Sequence, residues 1–259
     1  MSAPEGAPAG SDLPVAIVTA LPEEMGPILA RARGLRRVAR GGARPRAWEG
    51  RLSGARVLLT CTGDGARNAR EGIREVLGAF PVSRWIGGGF AGALSPGLEP
   101  GTVLVARALR NADGRLSAPL DARFAARALA AGGTLAATLV SAAALVPTAA
   151  AKARLRNSIC CEGDEPAAAD LESAGWVEGA PGGVPGVLVR VVLDGALEDL
   201  PDLLVRSQRP GGGIDRAAIL LRALRSPSGV GKLLSMRRRA RLMAERLADF
   251  LERFAALGF

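Results

Sequence analysis

A chain of 259 residues with 48% hydrophobic and only 3% aromatic content can bury a sizeable core of Ala, Leu, Val and Gly. It contains no His and no Tyr, so proton transfer falls to Asp, Glu, Cys or Lys, and a zinc set built on His is excluded. The net charge is +9, carried almost wholly by Arg, since Lys152 and Lys232 are the two lysines.

Met1 to Leu13 lacks a basic start and an apolar stretch, and reads as a disordered tail rather than a signal peptide. Val15-Ala16-Ile17-Val18-Thr19 reads as a short buried strand. Leu21-Pro22-Glu23-Glu24 then opens a helix, with Pro and acids in its first turn. Trp48–Leu52 and Arg56–Cys61 form a hairpin around Ser53-Gly54, and Gly63-Asp64-Gly65 leads into a helix from about Ala66 to Leu77. Gly63 and Gly65 at that helix start could cradle an anion or a sugar oxygen, with Arg67 or Asn68 helping, or could simply make a tight turn.

Gly87-Gly88-Gly89-Phe90-Ala91-Gly92 matches the dinucleotide pattern G-x-G-x-x-G. Ser95-Pro96-Gly97 would break the required helix, and Gly101 to Asn111 carries no acid, so NAD is rejected. The glycines are expected to let backbone amides approach a small ligand. Further on, Thr102–Ala106 reads as a strand, Ala122–Ala130 as a helix and Thr134–Ser141 as extended.

The most informative stretch follows. Asp170, Leu171 and Glu172 stand at a predicted helix start, and the buried strand Val187 to Leu193 delivers Asp194 at its tip. In open α/β sheets, ligands sit at the carboxyl ends of strands, so two carboxylates meeting there suggest ribose binding with acid catalysis. Glu24, one turn after the first strand, faces the same edge. Alternating strands and helices predict a three-layer α/β/α sandwich around a central mixed, largely parallel sheet.

From Arg206 to Arg246 there are eleven Lys/Arg against two acids, and Gly211-Gly212-Gly213 precedes two helices, Ile214–Leu224 and one after Ser226-Pro227-Ser228. Leu233, Met236, Met243, Leu247, Phe250, Leu251 and Phe254 form a stripe that packs on the core or lies on a membrane surface. No apolar run approaches the ~20 residues of a membrane span. The expected location is cytoplasmic, with peripheral contact to an anionic membrane as an open reading and nucleic acid not expected as a partner. Residues 14–259 are read as one domain with a basic helical extension from about 206. The cysteines Cys61, Cys160 and Cys161 give no disulfide framework.

Taken in order, these pieces resemble the nucleoside phosphorylase and 5′-methylthioadenosine/S-adenosylhomocysteine nucleosidase superfamily. The resemblance rests on Val15 to Glu24, on Gly88 to Leu94 with Pro100 to Val105, on Ala169 to Glu172, and on Arg190 to Asp194. It is nearest to the hopanoid-associated phosphorylase branch, through Val146-Pro147-Thr148-Ala149-Ala150-Ala151-Lys152 and the basic tail. It implies cleavage of the N-glycosidic bond of a 5′-substituted adenosine, with adenosylhopane as one substrate. A general nucleosidase and an inactive nucleoside-binding protein are the alternatives.

The resemblance also implies roles. Asp194 would donate to purine N7, Glu172 would hold the ribose hydroxyls, and Glu24 would activate water. Leu171 stands at a position usually held by Met. Gly89, Phe90, Ala91, Gly92, Gly63 and Gly65 would line the substrate. Phe90 replaces a small or hydroxyl residue, which together with the lack of arginines before Arg31 favours water over phosphate as the attacking group. No cofactor is implied beyond phosphate as a possible co-substrate, and a homo-oligomer is expected.

Overall fold

The computed structural model describes residues 13–38, 47–111, 113–115, 120–133, 135–159, 165–208, 215 and 227–259. Residues 1–12, the helix expected over 214–224 apart from residue 215, the triple glycine at 211–213, Thr134, Cys160 and Cys161 lie outside them.

Nine strands form one mixed sheet: β1 (Val15–Thr19), β2 (Arg33–Val38), β3 (Ala47–Leu52), β4 (Ala55–Cys61), β5 (Arg84–Ala93), β6 (Val103–Asn111), β7 (Leu135–Ser141), β8 (Ala167–Asp170) and β9 (Gly186–Asp194). The spatial order is β2-β3-β4-β1-β5-β8-β7-β6-β9, and β5 also pairs with β9. That extra pairing closes the second half of the sheet on itself. Strands β1, β4, β5 and β9 run parallel, so their carboxyl ends lie together. β8 meets the end of β5 antiparallel, with Gly92 opposite Ala169.

The helices are α1 (Pro22–Arg31), α2 (Ala66–Ala79), α3 (Ala122–Ala130), α4 (Ala149–Ser158), α5 (Ser173–Gly179), the short α6 (Asp202–Val205) and a long final helix, α7 (Pro227–Ala256). Every residue of β1 is buried. Because side chains alternate along a strand, Ala16 and Val18 face α2 and α5, while Val15 and Ile17 face α1, α3 and α7. A strand covered on both sides reads as an unbroken apolar run, which is how the opening pentapeptide looks in sequence.

The apolar stripe of the final helix packs on the core over its second half. Met243, Leu247, Phe250, Leu251 and Phe254 are buried in the core. Phe254 packs against Phe124, Phe250 and Phe259 with ring centroids 5.2–5.8 Å apart. Leu233 and Met236 are only half-buried, and Arg237, Arg238, Arg239 and Arg241 are exposed. Arg31 at the end of α1 joins the helices by pairing with Glu245, Asp249 and Glu252, which recur on one face of α7. Among the described residues no helix is long and apolar enough to cross a membrane.

Candidate active site

The glycine run lies inside strand β5, not at a strand-to-helix turn. A Cβ at these glycines would meet the protein's own side chains. A Cβ on Gly87 would stand 2.7 Å from the Trp176 ring, and one on Gly88 would touch Leu247. A Cβ on Gly89 would come within 2.9 Å of Glu24 Oε1, and one on Gly92 within 3.0 Å of Asp194 Oδ2. The absence of side chains on β5 is therefore what admits two carboxylates over the end of the strand. Ala91 between them is buried, and Phe90 is half-buried.

Glu24 is buried, and its carboxyl is gripped by backbone amides. Ala20 and Leu21 donate to Oε2 at 3.1 and 2.9 Å, and the Phe90 N–H donates to Oε1 at 3.1 Å. The first two amides belong to the turn from β1 into α1, so the carboxyl returns to the start of its own helix. Burial outweighs these bonds and pushes the group from 4.5 to about 7.

Glu172 is placed by two helices that start side by side. Helix α5 packs so closely on α2 that a Cβ on Gly175 would lie 2.1 Å from the Ala66 carbonyl, and one on Gly179 2.3 Å from that of Arg70. This contact aligns the two N-termini, and the Gly65 N–H donates to Glu172 Oε1 at 2.8 Å. Gly63 and Gly65 have φ of 95° and 85°, the left-handed region where glycine is favoured. The group held at the start of α2 is the Glu172 carboxyl. Arg67 instead pairs with Glu71 at the surface, and Asn68 donates to the Asp64 carbonyl. Burial, with Asp170 and then Glu24 adding repulsion, pushes the Glu172 carboxyl up to about 8. Leu171 is half-buried beside it.

Asp194 ends β9 directly opposite Gly92. Burial raises its carboxyl above the usual range, opposed by Lys152. Lys152 Nζ donates to Asp194 Oδ2 at 2.5 Å.

Three charged side chains for which the sequence offered no role complete the arrangement: Lys152, Asp170 and Arg190. Arg190 is buried, and its guanidinium makes four hydrogen bonds and an ion pair inside the protein. Nε donates to Asp170 Oδ2 at 2.6 Å, Nη2 donates to Ser173 Oγ and lies 2.5 Å from the same Asp170 oxygen in an ion pair, and Nη1 donates to the carbonyls of Gly87 and Val189. Its guanidinium also lies 4.8 Å from the ring centre of Trp176, whose indole N–H donates to Thr62 Oγ1. Trp176 is a core residue. A signal for Arg190 was present in the sequence, as a charge in the middle of an otherwise apolar strand. For Lys152 the signal was a lysine in a chain that otherwise uses arginine.

Glu24 and Asp194 thus stand over residues 89 and 92 of β5, and Glu172 lies near enough to Glu24 and Asp170 to feel their charge, with each of the three carboxyls titrating above its usual range. In open α/β sheets the carboxyl edge is where small ligands are commonly held, and clusters of perturbed acids are often found at such sites. More particularly, the chain belongs to the phosphorylase superfamily, whose model matches residues 14–171.

Solved structures agree on the fold. The 5′-methylthioadenosine/S-adenosylhomocysteine nucleosidase of Neisseria meningitidis, complexed with methylthio-immucillin-A, superposes with a TM-score of 0.70 at 20% identity, covering 94% of this chain and 98% of that one. S-adenosylhomocysteine nucleosidase of Streptococcus pyogenes, with 5-methylthiotubericidin, gives 0.73 at 16%, covering 97% and 100%. Futalosine hydrolase of Helicobacter pylori gives 0.69 at 18%, covering 94% and 97%. Among curated protein sequences, none matches this chain.

Proposed function

We propose that this protein hydrolyses the N-glycosidic bond of a 5′-substituted adenosine and releases adenine. The observation that carries the reading is the placement of Glu24 and Asp194 over the glycine-lined end of β5, with Glu172 near enough to Glu24 to feel its charge and both glutamates titrating near neutrality. In this reading Asp194 donates a proton to purine N7 through Oδ1, the oxygen that does not face Lys152, so adenine leaves as a neutral base. Glu172 accepts hydrogen bonds from the ribose hydroxyls, and the cationic character developing on the sugar draws it into its charged form. Glu24 takes a proton from the water that attacks C1′.

Water rather than phosphate is the nucleophile on two grounds. Arg190, the arginine buried in this cluster, is engaged by Asp170, Ser173 and the carbonyls of Gly87 and Val189, and Arg31 is turned to the carboxylates of α7. A general base titrating at about 7 is matched to activating water.

For the 5′ substituent, adenosylhopane is the substrate we favour, on the resemblance described above. Leu234 and Leu242 on α7 are 60% and 54% exposed among arginines, which fits contact with an anionic lipid surface. The test is adenine release from 5′-deoxyadenosine, 5′-methylthioadenosine and detergent-dispersed adenosylhopane, each with and without phosphate, alongside Asp194→Asn. Phosphate-independent release, reduced roughly 10²–10⁴-fold in the variant, supports hydrolysis with Asp194 as the acid. Dependence on phosphate would overturn the choice of nucleophile. Nucleoside binding without release from any substrate would identify a binding protein instead.

A further inference from the structure

Lys152 is 1% exposed, and its ammonium makes three hydrogen bonds, one for each proton. The acceptors are Asp194 Oδ2 at 2.5 Å and the carbonyls of Gly195 and Glu198, both at 2.7 Å. All three belong to the end of β9 and the loop that follows it. The first turn of α4 is tied to the same loop from outside. Ala149 N–H donates to Asp199 Oδ1 at 2.7 Å, and Leu200 N–H donates to the Pro147 carbonyl at 2.7 Å. Thr148 caps the helix by accepting from Ala151 N–H. A buried lysine held this firmly against a buried carboxylate is costly to maintain for fold alone, since burial penalises both charges. Its position at one oxygen of Asp194 gives it a use.

We infer that Lys152 is the positioning residue for Asp194: it orients the carboxyl and stabilises the carboxylate that remains once the proton has passed to the leaving base. This rests on the hydrolytic reading above. As the Oδ1–H bond breaks and N7–H forms, the C1′–N9 bond breaks with its electron pair going to adenine. The negative charge left on Asp194 appears 2.5 Å from the Lys152 ammonium, so the attraction is stronger late in the step than before it. Other charges bear on Asp194 as well. Glu198 opposes its ionisation and Arg239 on α7 favours it, and these two are paired with each other.

The test uses the full chain with Lys152→Met and Lys152→Gln, and Lys152→Arg as the charge-retaining variant. Adenine release is followed from pH 5 to 10, with melting scans on every variant. Removing the cation is expected to lower kcat about 100-fold with KM little changed. It should also raise the pH at which activity falls on the alkaline side by about 1 unit or more, because Asp194 must stay protonated and has lost the opposite charge that lowers its pKa. Lys152→Arg should restore part of both. Folded neutral variants with unchanged kcat and an unmoved alkaline limb would overturn the inference. So would failure of both neutral variants to fold, which would make the contact structural. If the unmodified chain releases no adenine, it is the hydrolytic reading that fails.

Discussion

Glu24→Gln offers the sharpest test of how burial tunes this site, because its effect on stability can be separated from its effect on catalysis. The carboxyl rises from 4.5 to about 7 on folding, with burial as the main cause. The folded state therefore holds its proton more tightly than the unfolded chain does. Stability from this group is full below about pH 4.5 and is lost as pH rises through 7. At about 1.36 kcal/mol for each pH unit, the loss comes to about 3 kcal/mol between those limits. Gln does not ionise and escapes it. Gln also turns an amide N–H towards a backbone donor, either Phe90 or the Ala20 and Leu21 pair, at a cost of ~1–3 kcal/mol, but that cost does not vary with pH. Urea unfolding of both proteins at intervals from pH 5 to 9 should show the difference moving in favour of the variant by about 3 kcal/mol, flattening above pH 8. Glu172 titrates in both proteins and largely cancels. Parallel curves would refute the claim that Glu24 is buried against its own ionisation.

Three further outcomes follow from the same geometry. The rate of adenine release should fall as pH drops through about 7, since Glu24 must be unprotonated to accept a proton from water, and Glu24→Gln should abolish release across the range. Gly92→Ala should lower kcat roughly 100-fold by pushing against Asp194 Oδ2 at 3.0 Å, while Gly97→Ala, which meets nothing within 4 Å, should leave kcat unchanged. Gly175→Ala should cost about 3 kcal/mol of unfolding free energy because its Cβ would strike the Ala66 carbonyl, whereas Gly182→Ala should fall within ~0.5 kcal/mol of the parent; urea midpoints compare the two.

Much of this was written in the chain. Val15 to Thr19 and Val187 to Leu193 declare themselves as strands by unbroken apolar runs, and Asp194 is marked as functional because it ends one of them. The hairpin around Ser53-Gly54 and the helix starts at Pro22 and Ala66 follow from local turn and cap chemistry, which depends on neighbours in sequence. Composition alone directed attention to carboxylates by leaving out His and Tyr.

The tertiary structure decided what those carboxylates touch. Local pattern cannot reveal that Glu24 returns to Phe90, that Gly65 is spent on Glu172, or that Lys152 reaches Asp194 from another helix. Nor does it say that β5 pairs with both β9 and β8, because a strand's pattern records burial and not the identity of its partners. The glycine run illustrates the division. Its sequence announces close approach, but only the folded chain identifies the approaching groups as Trp176, Leu247, Glu24 and Asp194. Raised protonation of the acids is likewise tertiary, since it comes from burial and from charges brought together across the sheet.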